Sequence, residues 1–140
     1  MKTLLPTDGS KCARRAAEYV IRHAAMLGPD PDLVLLHVQP RLPNRAAAAL
    51  SRTAVERYYH DQSEKALALA RRMLGRKSIA FKEVKLLGDA GEAIASFATK
   101  GRFQLIIMGS RGLGGFGSLV LGSVAHKVLA NCKVPTLIIR

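Results

Sequence analysis

Apolar residues along this chain fall into two alternating patterns. Short runs rich in Val, Ile and Leu occur at 2–6 (KTLLP), 32–38 (DLVLLHV), 80–87 (AFKEVKLL), 103–109 (FQLIIMG) and 134–140 (VPTLIIR). Turn residues bound most of them, and each predicts a β-strand. LVLLHV and LIIMG are nearly continuous apolar runs, as strands covered on both faces require. Between these runs the apolar positions recur every three or four residues. At 10–27, Ala13, Ala16, Ala17, Val20, Ile21, Ala24 and Leu27 share one stripe, and Gly28-Pro29 marks the stop. Further helices are predicted at 51–74, at 90–100 and at 123–131, stopping at Gly75, at Gly101 and before Pro135. Strand and helix alternate four times and close on a strand, which predicts an α/β fold: a parallel sheet with helices on both faces. The least regular stretch, QPRLPNRAAAAL at 39–50, reads as a surface connection.

Composition narrows the class. The 140 residues suffice for one domain, 1–140, and no apolar run reaches the length of a membrane-spanning helix. The N-terminal MKTLLPTDGS is too short in apolar residues for a signal peptide. Cys12 and Cys132 are the only cysteines and form neither a metal motif nor a disulfide framework. A reduced, cytoplasmic protein is expected. The net charge of +12 predicts attraction to anions.

Six of the 12 glycines lie between Gly109 and Gly122, directly after a buried-strand pattern and before a helix. Glycines in that position let backbone N–H groups face an anion, and the helix beginning near Ser123 adds its positive dipole end. Ser123 can cap that helix or donate to a phosphate. No Asp or Glu follows Glu92, whereas Lys100, Arg102, Arg111, Lys127, Lys133 and Arg140 do. Arg111 lies inside the glycine stretch itself. Gly112-x-Gly114-x-x-Gly117 matches the dinucleotide fingerprint formally, but the acidic residue expected about 20 positions on is missing, and so is a Walker A pattern.

The spacing Gly109-x2-Gly112-x9-Gly122-Ser123 resembles the nucleotide motif of the ATP-binding branch of the universal stress proteins. LLPTDGS at 4–10, LLHV at 35–38, LGDAGEAI at 87–94, IIMGSRGLGG at 106–115, LGSVAHKVL at 121–129 and the closing VPTLIIR are similar to that family's segments in order. The resemblance implies a five-stranded, Rossmann-like parallel sheet of order 3-2-1-4-5. It also implies a homodimer, and an adenine nucleotide (ATP, AMP or ADP) between strands 1 and 4. By the same resemblance Asp8 and Val38 sit beside the adenosine, with Pro6 and Thr7 on that wall. Met108 and Gly109 flank the ribose, and Gly112, Gly122, Ser123 and Val124 contact phosphates, with Ser110 and Arg111 adjacent. Three departures stand out: Gln104 where the family commonly has Asp, Ala90 where it has Pro, and the additional Lys133.

Single residues carry competing readings. Asp8-Gly9 is also a common turn pair. His37 lies in an apolar run and reads as a packed strand-end histidine. Cys12, near a helix start, reads as structural. Tyr58-Tyr59 read as anchors of the long helix. No Ser/His/Asp set, paired carboxylates or metal cluster emerges. The phosphate region supplies Ser110, Ser118 and Ser123 but no carboxylate, and Asp8, the sole acidic candidate, belongs at the adenosine end. The chain therefore reads as a binding or signalling module with no assigned catalytic residue and slow ATP hydrolysis at most. Mg²⁺ would arrive with ATP. In the implied order the last strand lies on an edge, which invites pairing with a second copy. A client protein is compatible with this reading. The rival class is a basic polyanion- or nucleic-acid-binding module, carried by Lys11, Arg14, Arg15, Arg22 and the later arginines. Low aromatic content and the lack of a nucleic-acid-binding motif count against it.

Overall fold

The computed structural model describes residues 1–113 and 121–140. The dinucleotide-like glycines Gly114 and Gly117, and Ser118, lie outside the described residues. Five strands form one parallel sheet: β1 (Lys2–Pro6), β2 (Asp32–Gln39), β3 (Lys82–Leu87), β4 (Leu105–Gly109) and β5 (Thr136–Ile139). Their order is β3-β2-β1-β4-β5. Pairing runs from Lys2↔Asp32 to Pro6↔Leu36 between β1 and β2, but only over Thr3↔Leu105 and Leu4↔Ile106 between β1 and β4.

The helices are α1 (Lys11–Arg22), α2 (Asn44–Ala48), α3 (Arg52–Arg76), α4 (Ala90–Lys100) and α5 (Ser123–Asn131). Four of them divide between the two faces of the sheet: α4 and α5 on one, α1 and α3 on the other. One core joins Leu4, Val34, Leu36, Ile106 and Met108 to Ile94 and Ala98 of α4 and Ala125 and Val128 of α5. The other joins Leu5, Leu33, Leu35 and Ile107 to Ala16, Ala17 and Val20 of α1 and Leu67, Ala70 and Leu74 of α3. Successive strand residues thus enter opposite cores, which is why the central runs contain almost no polar positions.

Several boundaries differ from the sequence pattern. The first helix stops at Arg22, not Leu27. The backbone N–H of His23 donates to the Tyr19 carbonyl, its Nδ1 lies 2.9 Å from the same oxygen, and Ala24–Leu27 continue as a 3₁₀ turn before Gly28 at φ +86°. The third strand begins at Lys82 and the fourth at Leu105. Phe103, though buried, belongs to the connection and packs on Phe97. The fifth begins at Thr136, after Pro135, whose ring nitrogen has no proton for a ladder. Within the irregular stretch, the alanine run forms α2, in keeping with alanine's helix propensity. Tyr59 does act as an anchor, accepting the Leu42 N–H at 2.9 Å, while Tyr58 is exposed. At the amino ends of the strands, Gln104 Oε1 accepts the Lys2 N–H at 2.9 Å, so the residue in place of the expected Asp supplies an acceptor there.

A candidate nucleotide cleft

The chain leaves β1 toward β2 on one side and reaches β4 on the other, so the winding reverses between β1 and β4. Beyond the carboxyl ends of these strands the flanking loops diverge, and such a reversal is where open parallel sheets bind ligands. A cleft of about 880 Å³ lies there, within the range of about 300–1,000 Å³ typical of small-molecule sites. Its walls are the tips of β1, β2 and β4, the first turns of α4 and α5, and the middle of α3. Pro6, Thr7, Asp8, Val38, Met108, Gly109, Arg111, Gly112, Gly122, Ser123 and Val124 all border it, as does Ser110. The structure thus brings the sequence-predicted residues together from four separate segments.

The β1 tip is a tight turn. Asp8 Oδ1 accepts the Ser10 N–H at 2.9 Å, and Gly9 sits at φ +81°, a conformation that favours glycine. Ser10 then caps α1, its hydroxyl accepting the Ala13 N–H at 3.2 Å. The same hydroxyl reaches the Arg111 carbonyl at 3.4 Å, tying the β1 tip to the β4 tip. Asp8 therefore serves the turn with one oxygen while the other lies against the glycine loop. A side chain at Gly112 would place its first carbon 2.6 Å from Asp8 Oδ2.

Two more glycines have packing reasons. A Cβ at Gly109 would come within 2.7–2.9 Å of Cys12 and the Ala13 nitrogen, so β4 can meet the start of α1 only with glycine there. Gly122 donates its N–H to the Ser110 carbonyl at 2.7 Å, and a Cβ on it would lie 3.2 Å from that oxygen and from Arg111 Cα. Close approach within the protein thus explains positions that sequence reasoning assigned to a ligand alone.

Of the roles open to Ser123 in the sequence, capping the last helix is ruled out. Gly122 is the capping residue, at φ −78° and ψ 168°, and among the described residues no side chain caps α5. Ser123 is already the first helical residue. The first-turn N–H groups of a helix lack intrahelical acceptors, and here Ser123, Val124 and Ala125 border the cleft. The first turn carries no acidic residue.

Leu36, Val38, Ile94 and Met108 supply apolar wall, and Asp8 is the only acidic residue among the described residues of the lining. His37 is a buried strand-end residue: its Nδ1 lies 2.8 Å from the Thr7 carbonyl and its Nε2 lies 3.1 Å from Gln39 Oε1. Cys12 is buried beneath Ser110, with 3.9 Å between Ser110 Oγ and its sulfur. Among the described residues, no three His, Cys, Asp or Glu side chains gather as a metal site, and no helix is long and apolar enough to cross a membrane.

Sequence reasoning missed the contribution of α3. Gln62, Lys65 and Ala66 border the cleft. A Cβ at Gly9 would lie 3.4 Å from Ala66, so the helix packs directly on the β1 turn. Helical periodicity marks Ala66 and Leu67 as core positions, but it does not reveal that this long helix runs beside the sheet's carboxyl edge. Ala90, the departure at the start of α4, also borders the cleft.

Fold and cleft define an open parallel α/β protein with a cleft at the point where its winding reverses. The family model described as "Universal stress protein family" matches residues 1–140, and the chain belongs to that family. A universal stress protein encoded 3′ of a QAH/OAS sulfhydrylase in Thermus aquaticus is 35% identical over 138 residues, covering 98% of this chain and 96% of the relative. The solved structure of hypothetical protein MJ0577 has a TM-score of 0.78 at 26% identity, covering 99% of this chain and 94% of that one. A universal stress protein in complex with cAMP has a TM-score of 0.72 at 20% identity, covering 100% and 97%. Family members from Archaeoglobus fulgidus and Arabidopsis thaliana, each 17% identical, were solved with dAMP and with AMP, at TM-scores of 0.70 and 0.66 and covering 100% and 99% of this chain and 98% and 90% of those chains.

Proposed function

We propose that this protein binds an adenine nucleotide in the cleft between β1 and β4 and acts as a cytoplasmic binding or signalling module in a stress response. The observation that carries the reading is the start of α5, capped by no side chain among the described residues, facing, across one cleft, the Asp8 turn and an apolar wall. A helix N-terminus without a side-chain cap suits phosphate oxygens. Leu36, Val38, Ile94 and Met108 suit a purine. Adenine nucleotides bound to several family members point the same way.

In this reading Asp8 and Val38 hold the adenosine, with Pro6 and Thr7 beside them. Met108 and Gly109 flank the ribose. Gly112, Gly122, Ser123 and Val124 face the phosphates, with Arg111 adding positive charge. Lys65 of α3 joins the set at the rim. The ligand is ATP, with Mg²⁺ arriving on its phosphates, and hydrolysis is slow at most. Support for slow turnover comes from the lone carboxylate among the described residues of the lining, Asp8, one of whose oxygens already accepts from Ser10. A second copy pairs along β5, whose four residues are only partly buried and whose outer edge has no strand beside it among the described residues.

The test is to denature the purified protein, identify any released nucleotide by mass, and titrate stripped protein with ATP, ADP and AMP by calorimetry. Saturable binding of one nucleotide per chain is expected, tightest for ATP. No retained nucleotide and no binding heat for any of the three would overturn the reading. Light scattering at several concentrations tests the dimer, with a monomer throughout as the contrary result.

A further inference from the structure

The excess positive charge is not spread evenly. Glu18, Asp32, Glu56, Glu64, Glu83 and Asp89 each pair with a cation: Arg14, Lys82, Arg52, Arg71 with Lys85, Arg71, and Lys127 respectively. Six of the cations outside those pairs lie on one layer. On α1, Lys11, Arg15 and Arg22 are exposed and lie opposite the buried Cys12, Ala13, Ala16, Ala17 and Val20. Spacings of four and seven keep them on one face. On α3, Lys65, Arg72 and Arg76 are exposed opposite Ser63, Ala66, Leu67, Ala70 and Leu74, at spacings of seven and four.

Both helices pack on the same side of the sheet through one shared core. Their outer faces therefore form two adjacent rows of three cations, each about 16 Å long at 1.5 Å per residue. None of the six belongs to an ion pair among the described residues. The acidic residues within the faces are Glu18, paired with Arg14, and the exposed Asp61.

We propose that this α1/α3 face is a docking surface for the phosphate backbone of a double-stranded nucleic acid, bound without sequence preference. A duplex carries one charge per about 1.7 Å of axis, so a 16 Å row faces about nine phosphates, enough to engage all six cations. The exposed positions between Lys65 and Arg76 other than Arg72 are Ala68 and Gly75. That stretch offers contact through charge, without the large apolar side chains with which interfacial helices enter a lipid surface. Apart from Lys65, which also borders the cleft, the proposal uses none of the residues of the nucleotide reading.

The experiment measures anisotropy of a labelled mixed-sequence 20-base-pair DNA duplex, and of its RNA counterpart, titrated with the intact protein between 50 and 200 mM salt. Six phosphate contacts predict a slope of log K against log salt near −5, an affinity loss of about 10³-fold over that range. The variant R15E/R22E/R72E/R76E leaves Lys65 and the cleft intact, and it is expected to lose binding at least 100-fold at 50 mM. The control R41E/R45E/K100E/K133E makes the same change in net charge at exposed positions elsewhere, and it is expected to retain most binding. Circular dichroism and melting confirm that both fold. Three results overturn the proposal: no duplex binding at 50 mM salt, equal loss in both variants, or flotation with phosphatidylserine vesicles in the absence of duplex binding.

Discussion

The two ends of the sheet are built from the same strands but to opposite purposes. At the amino ends, polar groups meet partners within the protein. Lys2 N–H donates to Gln104 Oε1 at 2.9 Å, Gln104 N–H returns to the Lys2 carbonyl at 2.9 Å, and the Lys2 ammonium reaches the Gly101 carbonyl at 2.7 Å while lying 4.8 Å from the Phe103 ring centre. The N-terminal ammonium donates to the Leu27 carbonyl at 2.9 Å. At the carboxyl ends, ladder pairing between β1 and β4 stops after Leu4↔Ile106, the loops separate, and α5 begins without a side-chain cap among the described residues. A closed end satisfies its own hydrogen bonds and contributes stability, whereas an open end leaves donors for something else.

The contrast breaks most severely where the open end depends on bare backbone. Gly109→Val drives carbon atoms into Cys12 and Ala13. Overpacking of this kind costs about 1–3 kcal/mol, so the melting temperature should fall by several degrees and nucleotide binding should vanish with it. A variant melting like the parent would mean that β4 and α1 are less tightly joined than the geometry indicates.

Next in size is a pair of alanine substitutions, one at each end. Asp8→Ala should weaken nucleotide binding about tenfold, roughly 1.4 kcal/mol, and lower stability only modestly through loss of the Ser10 contact. Gln104→Ala should do the reverse, costing about 0.5–1 kcal/mol of stability and leaving nucleotide affinity unchanged. Calorimetric titration and thermal melts on both proteins give the four numbers. Equal effects on affinity would erase the distinction between the ends.

The smallest effect lies away from both ends. Glu64 hydrogen-bonds Arg71 and Lys85, and these contacts hold its carboxyl down from 4.5 to about 2. A depressed carboxylate favours the folded state above its unfolded value, and that contribution is lost as pH falls from about 4.5 toward 2. The pairs lie at the surface, so the effect is small. Glu64→Gln should flatten the acid limb of the stability curve slightly without moving stability at pH 7 far. An unchanged acid limb would show that the network contributes nothing measurable.

Much of this was legible in the residues. The continuous apolar runs at 32–38 and 103–109 announced doubly covered strands, because in a two-layered α/β core both alternating faces are apolar. The glycine spacing and the PTDGS tip marked the places that meet in the cleft. Other features depend on three-dimensional approach, which periodicity does not encode. Lys65 and Gln62 border the cleft only because α3 lies against the Gly9 turn. The glycines at 109 and 112 resemble ligand-facing positions in sequence, yet each is also demanded by a neighbour, Cys12 and Asp8 respectively. The cap of α5 fell one residue earlier than the hydroxyl suggested, since Ser and Gly both suit that position and the chain uses Gly122.

The most direct test of the contrast is a backbone amide NMR titration of stripped protein with ATP. The account predicts shifts confined to Thr7–Ser10, Val38, Gly109–Gly112 and Gly122–Ala125, with Lys2, Gly101 and Gln104 unmoved. Shifts centred on the amino ends of the strands, or on the outer face of α1 and α3 with none at Gly122–Ala125, would contradict it.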